Sequence, residues 1–213
     1  MKTVVFVDGE NFQKKVKQVY RMKRTAWDDH AFGNIKLKKL LHEMLPDLKI
    51  DEIRYYVAKL HVYKETKEKS EDLVALQRAL KSNLETQKVN FVTSGNVRMF
   101  AAGKDVDPVF KEKGVDVRMA VDMISLAADK KLKTAVICSS DSDMQPVITE
   151  LKRRKVHTVY LGFQAQPNKG LVFTCDETIL LRNNELPPYI QPKPKLKVER
   201  YDEEKKWKQT RLS

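Results

Sequence analysis

The sequence contains few of the residues on which several common chemistries depend. Its 213 residues include two cysteines, four histidines and seven glycines, and the histidines lack zinc-ligand spacing. Neither the G-x-x-x-x-G-K-[ST] nor the G-x-G-x-x-G motif occurs, so a glycine loop for a nucleotide cofactor has little support. A Gly-x-Ser-x-Gly elbow is also absent, and Ser139, Ser140 and Ser142 have no histidine in their segment. These absences argue against a serine nucleophile.

Long hydrophobic runs are missing as well. No apolar stretch reaches the roughly 18 residues that span a bilayer. The first residues enter a strand at once, which leaves no room for a signal peptide. Cys138 and Cys175 are expected to be reduced structural residues. We therefore expect a cytoplasmic protein without a membrane segment.

Positive charge is what the sequence has in excess. The formal net charge is +12 and the pI is about 9.5, while hydrophobic residues make up 41% of the chain. Such a balance is typical of proteins that bind a polyanion, either nucleic acid or an anionic membrane surface.

Short apolar runs alternate with segments of helical periodicity along the chain. This alternation predicts an α/β fold with a mostly parallel central sheet and helices on both faces. A turn is expected at residues 94–96 and an irregular or hairpin excursion over 97–113. The predicted strands cover 3–7, 50–58, 89–93, 134–139 and 156–163, and the predicted helices cover 11–22, 34–45, 70–86, 116–128 and 144–155.

Composition changes at Pro187. We predict a folded domain over residues 1–186 and a basic, Pro/Lys-rich extension over 187–213 that is flexible. Whether the extension binds RNA, a partner protein or nothing stays open, and so does a homodimer.

Two predicted strands lead directly to aspartates, at Asp8 and at Asp141. Ligands of open α/β sheets bind at the carboxyl ends of strands. Carboxylates gathered there repel one another unless a cation lies among them. Asn11 either caps the first helix or holds Asp8 in place, and the two roles are compatible.

Three further aspartates extend this pattern. Asp122 is the only charge between Met119 and Ala128 in a helix that is otherwise apolar, and a buried carboxylate needs compensation by a cation, a salt bridge or a backbone hydrogen bond. Asp116 and Asp143 each precede a predicted helix, so helix capping is an alternative for both. If all five converged, their oxygens would select Mg²⁺ or Mn²⁺, and two such ions can support phosphoryl displacement by water.

Three motifs occur in order along the chain: Val4-Val5-Phe6-Val7-Asp8-Gly9-Glu10-Asn11, Lys113-Gly114-Val115-Asp116-Val117 with Asp122, and Ser139-Ser140-Asp141-Ser142-Asp143. Together they resemble the NYN domain of the PIN-like nuclease superfamily and, more narrowly, its LabA-like bacterial branch. The resemblance covers about residues 1–182 and implies a PIN-like, Rossmannoid fold. It also implies a metal-dependent ribonuclease in which Asp8, Asn11, Asp116, Asp122, Asp141 and Asp143 match the site positions. Ser140 and Met144 depart from the usual glycine and aromatic residue.

The segment after Asp8 is strongly basic, with no acidic residue between Glu10 and Asp28. We predict that RNA lies along it, although a solvated helix face is the alternative. Tyr20 and Trp27 could stack bases or belong to the core. A second cluster, at 152–155, is expected to have a structural or helix-dipole role. The predicted RNA-binding residues are Lys14, Lys15, Lys17, Arg21, Lys23, Arg24, Lys113 and Arg118.

These features favour a Mg²⁺- or Mn²⁺-dependent endoribonuclease in which a metal-activated water attacks the phosphodiester. A non-catalytic RNA-binding or adaptor module is the alternative, and a third interpretation makes DNA or a small phosphoester the substrate.

Overall fold

The computed structural model describes residues 1–63, 66–100 and 109–190. Seven strands form one sheet in the order β4-β3-β2-β1-β5-β6-β7, in which only the β3–β4 pair is antiparallel. The strands are β1 (Lys2–Asp8), β2 (Glu52–Lys59), β3 (Asn90–Phe100), β4 (Val109–Lys113), β5 (Leu132–Cys138), β6 (His157–Phe163) and β7 (Glu177–Leu181). The predicted α/β class with a mostly parallel sheet is therefore confirmed.

Strand β1 lies at the centre of the sheet, where helices cover both of its faces. Val4, Val5, Phe6 and Val7 are fully buried, as expected for a parallel strand with no solvent-facing side. In register, Asp8 lies opposite Tyr56 of β2, and Val7 lies opposite Cys138 at the end of β5. The residues after β1 and after β5 consequently meet at the same edge.

Helices pack on the two faces as separate groups. The first four, α1 (Gly9–Met22), α2 (Asp29–Gly33), α3 (Leu37–Met44) and α4 (Lys67–Thr86), share one apolar core with the odd-numbered residues of β1. The remaining three, α5 (Val115–Ala128), α6 (Gln145–Arg153) and α7 (Lys169–Thr174), cover the opposite face. Helices α2 and α7 and strand β7 were not among the predicted elements, because each has only five or six residues and so carries little periodicity.

The predicted turn at 94–96 is wrong, because β3 continues through it. Gly95 adopts a φ of +69°, and a Cβ there would lie 2.0 Å from the carbonyl oxygen of Lys113. Because the glycine has no side chain, the backbone of β4 can approach β3 closely at this point, and β3 continues without a chain reversal. The hairpin expected over 97–113 is present as the antiparallel pair β3 and β4, whereas residues 101–108 lie outside the described residues.

The packed chain continues to Ile190. Leu186, Tyr189 and Ile190 are buried in the core beside α1, and the Tyr20 hydroxyl donates to the Ile190 carbonyl oxygen at 3.3 Å. Residues 191–213 of the predicted extension lie outside the described residues. Cys138 and Cys175 are free and buried. Within the described part, no helix is both long enough and apolar enough to cross a membrane.

Candidate active site

Asp8 is held at the point where β1 passes into α1. It is the N-cap of α1, and its Oδ1 accepts a hydrogen bond from the Asn11 backbone nitrogen at 3.1 Å. Its Oδ2 accepts from the Asn11 side-chain amide and, at 3.2 Å, from the Ser139 hydroxyl. Asn11 thus holds Asp8 with both its backbone and its side chain, which is one of the two roles considered for it; the other role, capping α1, belongs to Asp8.

The Asp8 carboxylate is costly to ionise. Only 6% of the residue is exposed, and burial raises its pKa above the ordinary value, to which the neighbouring charge of Glu10 adds. Hydrogen bonds from Asn11 and Ser139 oppose this rise but do not cancel it. No lysine or arginine among the described residues forms an ion pair with Asp8, so only neutral donors compensate its charge.

The segment after β5 is connected to Asp8 through its serines. The Ser139 hydroxyl accepts from the Asp141 backbone nitrogen at 3.2 Å, and the Ser140 hydroxyl donates to Asn11 Oδ1 at 3.1 Å. Hydrogen bonds therefore link Asp8, Asn11, Ser139, Ser140 and Asp141 into one group. We call these five residues the strand-edge cluster.

Asn168 supports this cluster and was missed in the sequence. Its side-chain amide donates to the Ser140 carbonyl oxygen at 2.9 Å, while its Oδ1 caps α7 by accepting from the Leu171 backbone nitrogen at 3.0 Å. The available signal was an asparagine in an N-cap position before an apolar segment.

The aspartates that cap helices are not the ones expected to do so. Asp141, not Asp143, is an N-cap: its Oδ1 accepts from the Asp143 backbone nitrogen at 2.9 Å, and a 3₁₀ turn (Ser142–Met144) precedes α6. Asp116 lies in the first turn of α5, whose N-cap is Gly114 with a φ of +86°. Neither Asp116 nor Asp143 therefore has the capping role considered for it. Asp116 is half-buried and Asp143 is exposed.

Asp122 has partners of its own. Its Oδ1 accepts from Arg118 Nε at 2.9 Å, and its Oδ2 accepts from the Tyr56 hydroxyl at 3.0 Å and from an Arg54 terminal nitrogen at 3.3 Å. Two guanidinium groups thus compensate this carboxylate, which is the salt-bridge alternative considered for it. Asp122 is half-buried rather than buried, since α5 exposes Val117 and Val121 to solvent, and its charge does not require a metal ion.

The five aspartates do not form one tight cluster. Across the described residues, no three or more His, Cys, Asp or Glu side chains are close enough together to hold a metal ion. Asp122 is bound instead to the β2 residues Arg54 and Tyr56. Asp8 and Asp141 still offer hard oxygen donors beside two serine hydroxyls. These donors suit Mg²⁺, which keeps several waters and takes only one or two carboxylates.

The basic segment of α1 is partly neutralised. Lys14 pairs with Glu10 at 2.6 Å and Lys17 with Asp29 at 3.0 Å, so the inference that this helix lacks acidic partners is wrong for these two. Asp29 was overlooked because it lies on the next helix.

Lys15 donates to the Gln166 carbonyl oxygen at 3.0 Å, and Lys113 is exposed. Three other predicted RNA-binding residues are exposed and have no acidic partner in the described part: Arg21, Lys23 and Arg24.

Of the two aromatic residues considered for base stacking, Tyr20 belongs to the core and Trp27 is half-buried against it. Tyr20 is buried, and Trp27 packs edge-on against it with ring centroids 5.5 Å apart.

The second basic cluster has the structural role expected for it. Arg153 and Arg154 bind Glu150 at 2.7 Å, and Lys152 binds Asp176 at 2.9 Å.

A protein-family match covers most of the chain. The model of the NYN domain family matches residues 2–182 of the chain. Among solved structures, the chain is similar to a protein of unknown function from Vibrio parahaemolyticus. The two sequences are 13% identical, and the structures have a TM-score of 0.49 over 84% of this chain and 92% of that one. This similarity is too low to indicate a shared function. No curated protein matches the chain.

Proposed function

The chain belongs to the NYN domain family of the PIN-like nuclease superfamily, and on that premise we propose that it is a divalent-metal-dependent endoribonuclease. One observation carries the proposal. A buried carboxylate, Asp8, lies at the carboxyl edge of the parallel sheet without a basic partner in the described part, and Ser139 links it to Asp141. Metal sites are a common reason for such a charge to be retained.

We assign Asp8 and Asp141 as the residues that would hold Mg²⁺ or Mn²⁺. Such an ion, when bound, lowers the pKa of a coordinated water and stabilises charge on the phosphate. Asn11 and Ser139 keep the Asp8 carboxylate oriented, since each donates to Oδ2. Attack by water rather than by the 2′-hydroxyl of RNA would leave products with 5′-phosphate ends.

The other three aspartates receive different assignments. Asp116 opens α5 and Asp143 follows β5, so both belong to segments at the carboxyl edge of the sheet, and we assign them to a second ion or to the attacking water. We assign Asp122 to the ion pairs with Arg54 and Arg118 instead of to the metal.

RNA is the proposed substrate because of charge and family. The formal net charge of +12 favours a polyanion, and exposed cations on α1 and at Lys113 offer contacts for phosphate groups. Cytoplasmic location, a homodimer and a partner for the C-terminal extension stay predictions.

A second candidate is a non-catalytic RNA-binding module with the same fold. One observation favours it: Asp8 and Asp141 both cap helices, a structural reason for their presence without any metal. A protein of this kind would bind RNA without cutting it.

Cleavage of a panel of labelled RNAs and DNAs in Mg²⁺, Mn²⁺ or EDTA separates these candidates. The nuclease proposal expects RNA cleavage that EDTA abolishes and that Asp141→Asn reduces at least 100-fold. Residual activity that is the same in wild type, in the variant and in EDTA would overturn it. Binding of RNA without cleavage in any ion would favour the second candidate.

A further inference from the structure

A cleft of about 270 Å³ lies between α1, α2 and α4 on the face of the sheet opposite α5. Its volume is near the lower end of the range for small-molecule sites, about 300–1,000 Å³. Val57 and Leu60, at the end of β2, close its inner side. The cleft therefore lies at the same edge of the sheet as the strand-edge cluster.

The apolar floor of the cleft comes from α4. Leu80 and Leu84 of this helix are buried in the core, whereas Leu73 and Leu76 are only half-buried, and Leu73, Leu76 and Leu80 line the cleft. Leu73 and Leu76 therefore present apolar surface to the open space of the cleft.

Polar groups lie around this floor. Gln77 donates one amide hydrogen to the Ala58 carbonyl oxygen at 3.0 Å, and Gln13 donates one to Asp29 Oδ1 at 3.2 Å. Each side chain therefore keeps a carbonyl oxygen that can accept from a ligand and a second N–H that can donate to it.

The charges at the rim discriminate between the parts of a nucleic acid. Glu10 and Asp29 line the cleft, and their carboxylate oxygens can accept hydrogen bonds from a base edge with N–H donors. Lys17, which also lines the cleft, is paired with Asp29, and Lys14 is paired with Glu10, so neither of these two cations is left unpaired to draw a phosphate group into the cleft.

Glu10 connects the cleft to the strand-edge cluster. It lines the cleft and lies two residues beyond Asp8, in the first turn of α1. A strand of RNA with one phosphate beside Asp8 would therefore have a neighbouring base within reach of the cleft.

We propose that this cleft binds one unstacked nucleobase of the RNA substrate, next to the bond that is cut. The inference rests on the proposed function, because the base is positioned by a phosphate at the strand-edge cluster. The leucines supply apolar contact to the base face, and Gln13 and Gln77 can accept from its edge or donate to it.

The test uses a short single-stranded RNA in which each position in turn is made abasic. In wild type, removal of one base beside the cleaved bond should lower kcat/KM about tenfold, with little effect elsewhere. Leu76→Phe fills the cleft, so it should lower kcat/KM for intact RNA by a similar factor and abolish the abasic effect. Leu73→Phe, which enters the cleft from the adjacent turn, replaces Leu76→Phe if that variant does not fold. Val121→Phe adds the same ring at an exposed position of α5 and should keep the wild-type profile.

Failure of the inference differs from failure of the proposed function. Normal cleavage with a flat abasic profile would overturn the base site and leave the nuclease proposal intact. If RNA is not cut at all, the same panel is measured as affinity in EDTA. A position-specific loss of about tenfold that Leu76→Phe removes supports the base site, and a flat affinity profile overturns it.

Discussion

The hydroxyl oxygen of Ser139 lies 3.2 Å from Oδ2 of Asp8, so a residue after β5 orients the carboxylate at the end of β1. The same oxygen accepts from the Asp141 backbone nitrogen at 3.2 Å. A single buried hydroxyl therefore sets the relative position of the two aspartates assigned to the metal.

Ser139→Ala tests this positioning role. The variant should need more metal for half-maximal cleavage and lose about tenfold in activity, because groups that orient metal ligands typically have effects of this size. The free energy of unfolding should fall by only about 1 kcal/mol. Ser142→Ala, at an exposed position of the same segment, is the control. A wild-type metal titration for Ser139→Ala would contradict the assignment.

Asp122→Asn separates the ion-pair role from a metal role. The change leaves the half-buried Arg54 without one of its two acidic partners, so the free energy of unfolding should fall by about 2–3 kcal/mol. The metal concentration for half-maximal cleavage should not change. Chemical denaturation and a metal titration check the two parts, with the exposed Asp129→Asn as the control. If Asp122→Asn needs more metal for half-maximal cleavage but is as stable as wild type, Asp122 would be a metal ligand instead.

The exposed cations at the end of α1 should contribute to RNA affinity and not to the chemical step. They lie about 20 Å along the helix from Asp8, because α1 rises about 1.5 Å per residue. The triple variant Arg21→Ala, Lys23→Ala, Arg24→Ala should raise KM with kcat unchanged. The slope of log affinity against log salt should become shallower by about 2, at about 0.7 per phosphate contact.

The control for this triple variant is Arg153→Ala, since Arg153 is bound to Glu150 in the second basic cluster. Its affinity and salt slope should match those of wild type. A triple variant with an unchanged salt slope would show that RNA does not follow α1.

Asp176 should make stability depend on pH in the acid range. Burial alone would raise its pKa, but hydrogen bonds from Lys152 and Thr158 outweigh this effect and lower the pKa to about 2. The folded pKa is thus below the unfolded value of about 3.9, so the contribution is complete above about pH 4 and is lost as pH falls toward 2.

Urea unfolding of Asp176→Asn checks this sign. At pH 7 the variant should be less stable than wild type by about 1 kcal/mol, and the difference should shrink steadily below pH 4. Asp47→Asn, at an exposed position, should show no such trend. A difference that is constant between pH 7 and pH 3 would refute the explanation.

Gly9 should tolerate no side chain. A Cβ there would lie 2.6 Å from the Tyr56 carbonyl oxygen and 2.6 Å from the Tyr55 ring, so Gly9→Ala has to push α1 away from β2. We expect a loss of about 1–3 kcal/mol in stability together with reduced cleavage, because Asp8 precedes the displaced helix. Gly33→Ala is the matched control, since a Cβ at Gly33 has no neighbour within 4 Å. Equal melting temperatures for the two variants would contradict this account.

Much of the fold could be predicted because its signals are local. The apolar runs that became β1, β5 and β6 and the stripe of Phe12, Val16 and Val19 on α1 each show their period within a few residues. Gly95 shows the limit of such signals: a glycine between polar residues is typical of a turn, yet the approach of Lys113 from β4 makes it part of a strand.

The candidate site likewise has features that could be predicted from short segments and contacts that could not. Its location was predictable from Asp8 and Asp141, since parallel strands bring their carboxyl ends to one edge. Arg118 is four residues from Asp122 on the same helix, but the other two partners were not predictable. Arg54 and Tyr56 are 68 and 66 residues away in the chain, and β2 could have placed them on other neighbours. Asn168 and the pairing of Lys17 with Asp29 were missed for the same reason.

The sequence by itself therefore determined the central strands, the longer helices and the edge where Asp8 and Asp141 lie, because periodicity and strand polarity are properties of short segments. Only the tertiary structure decided which carboxylates are compensated by arginines and which are left to neutral donors. Whether a charge is compensated depends on distances of a few ångströms between elements far apart in the chain, and those distances are set by packing. That difference is why Asp8 and Asp141 stay the proposed metal ligands while Asp122 joins an ion-pair network.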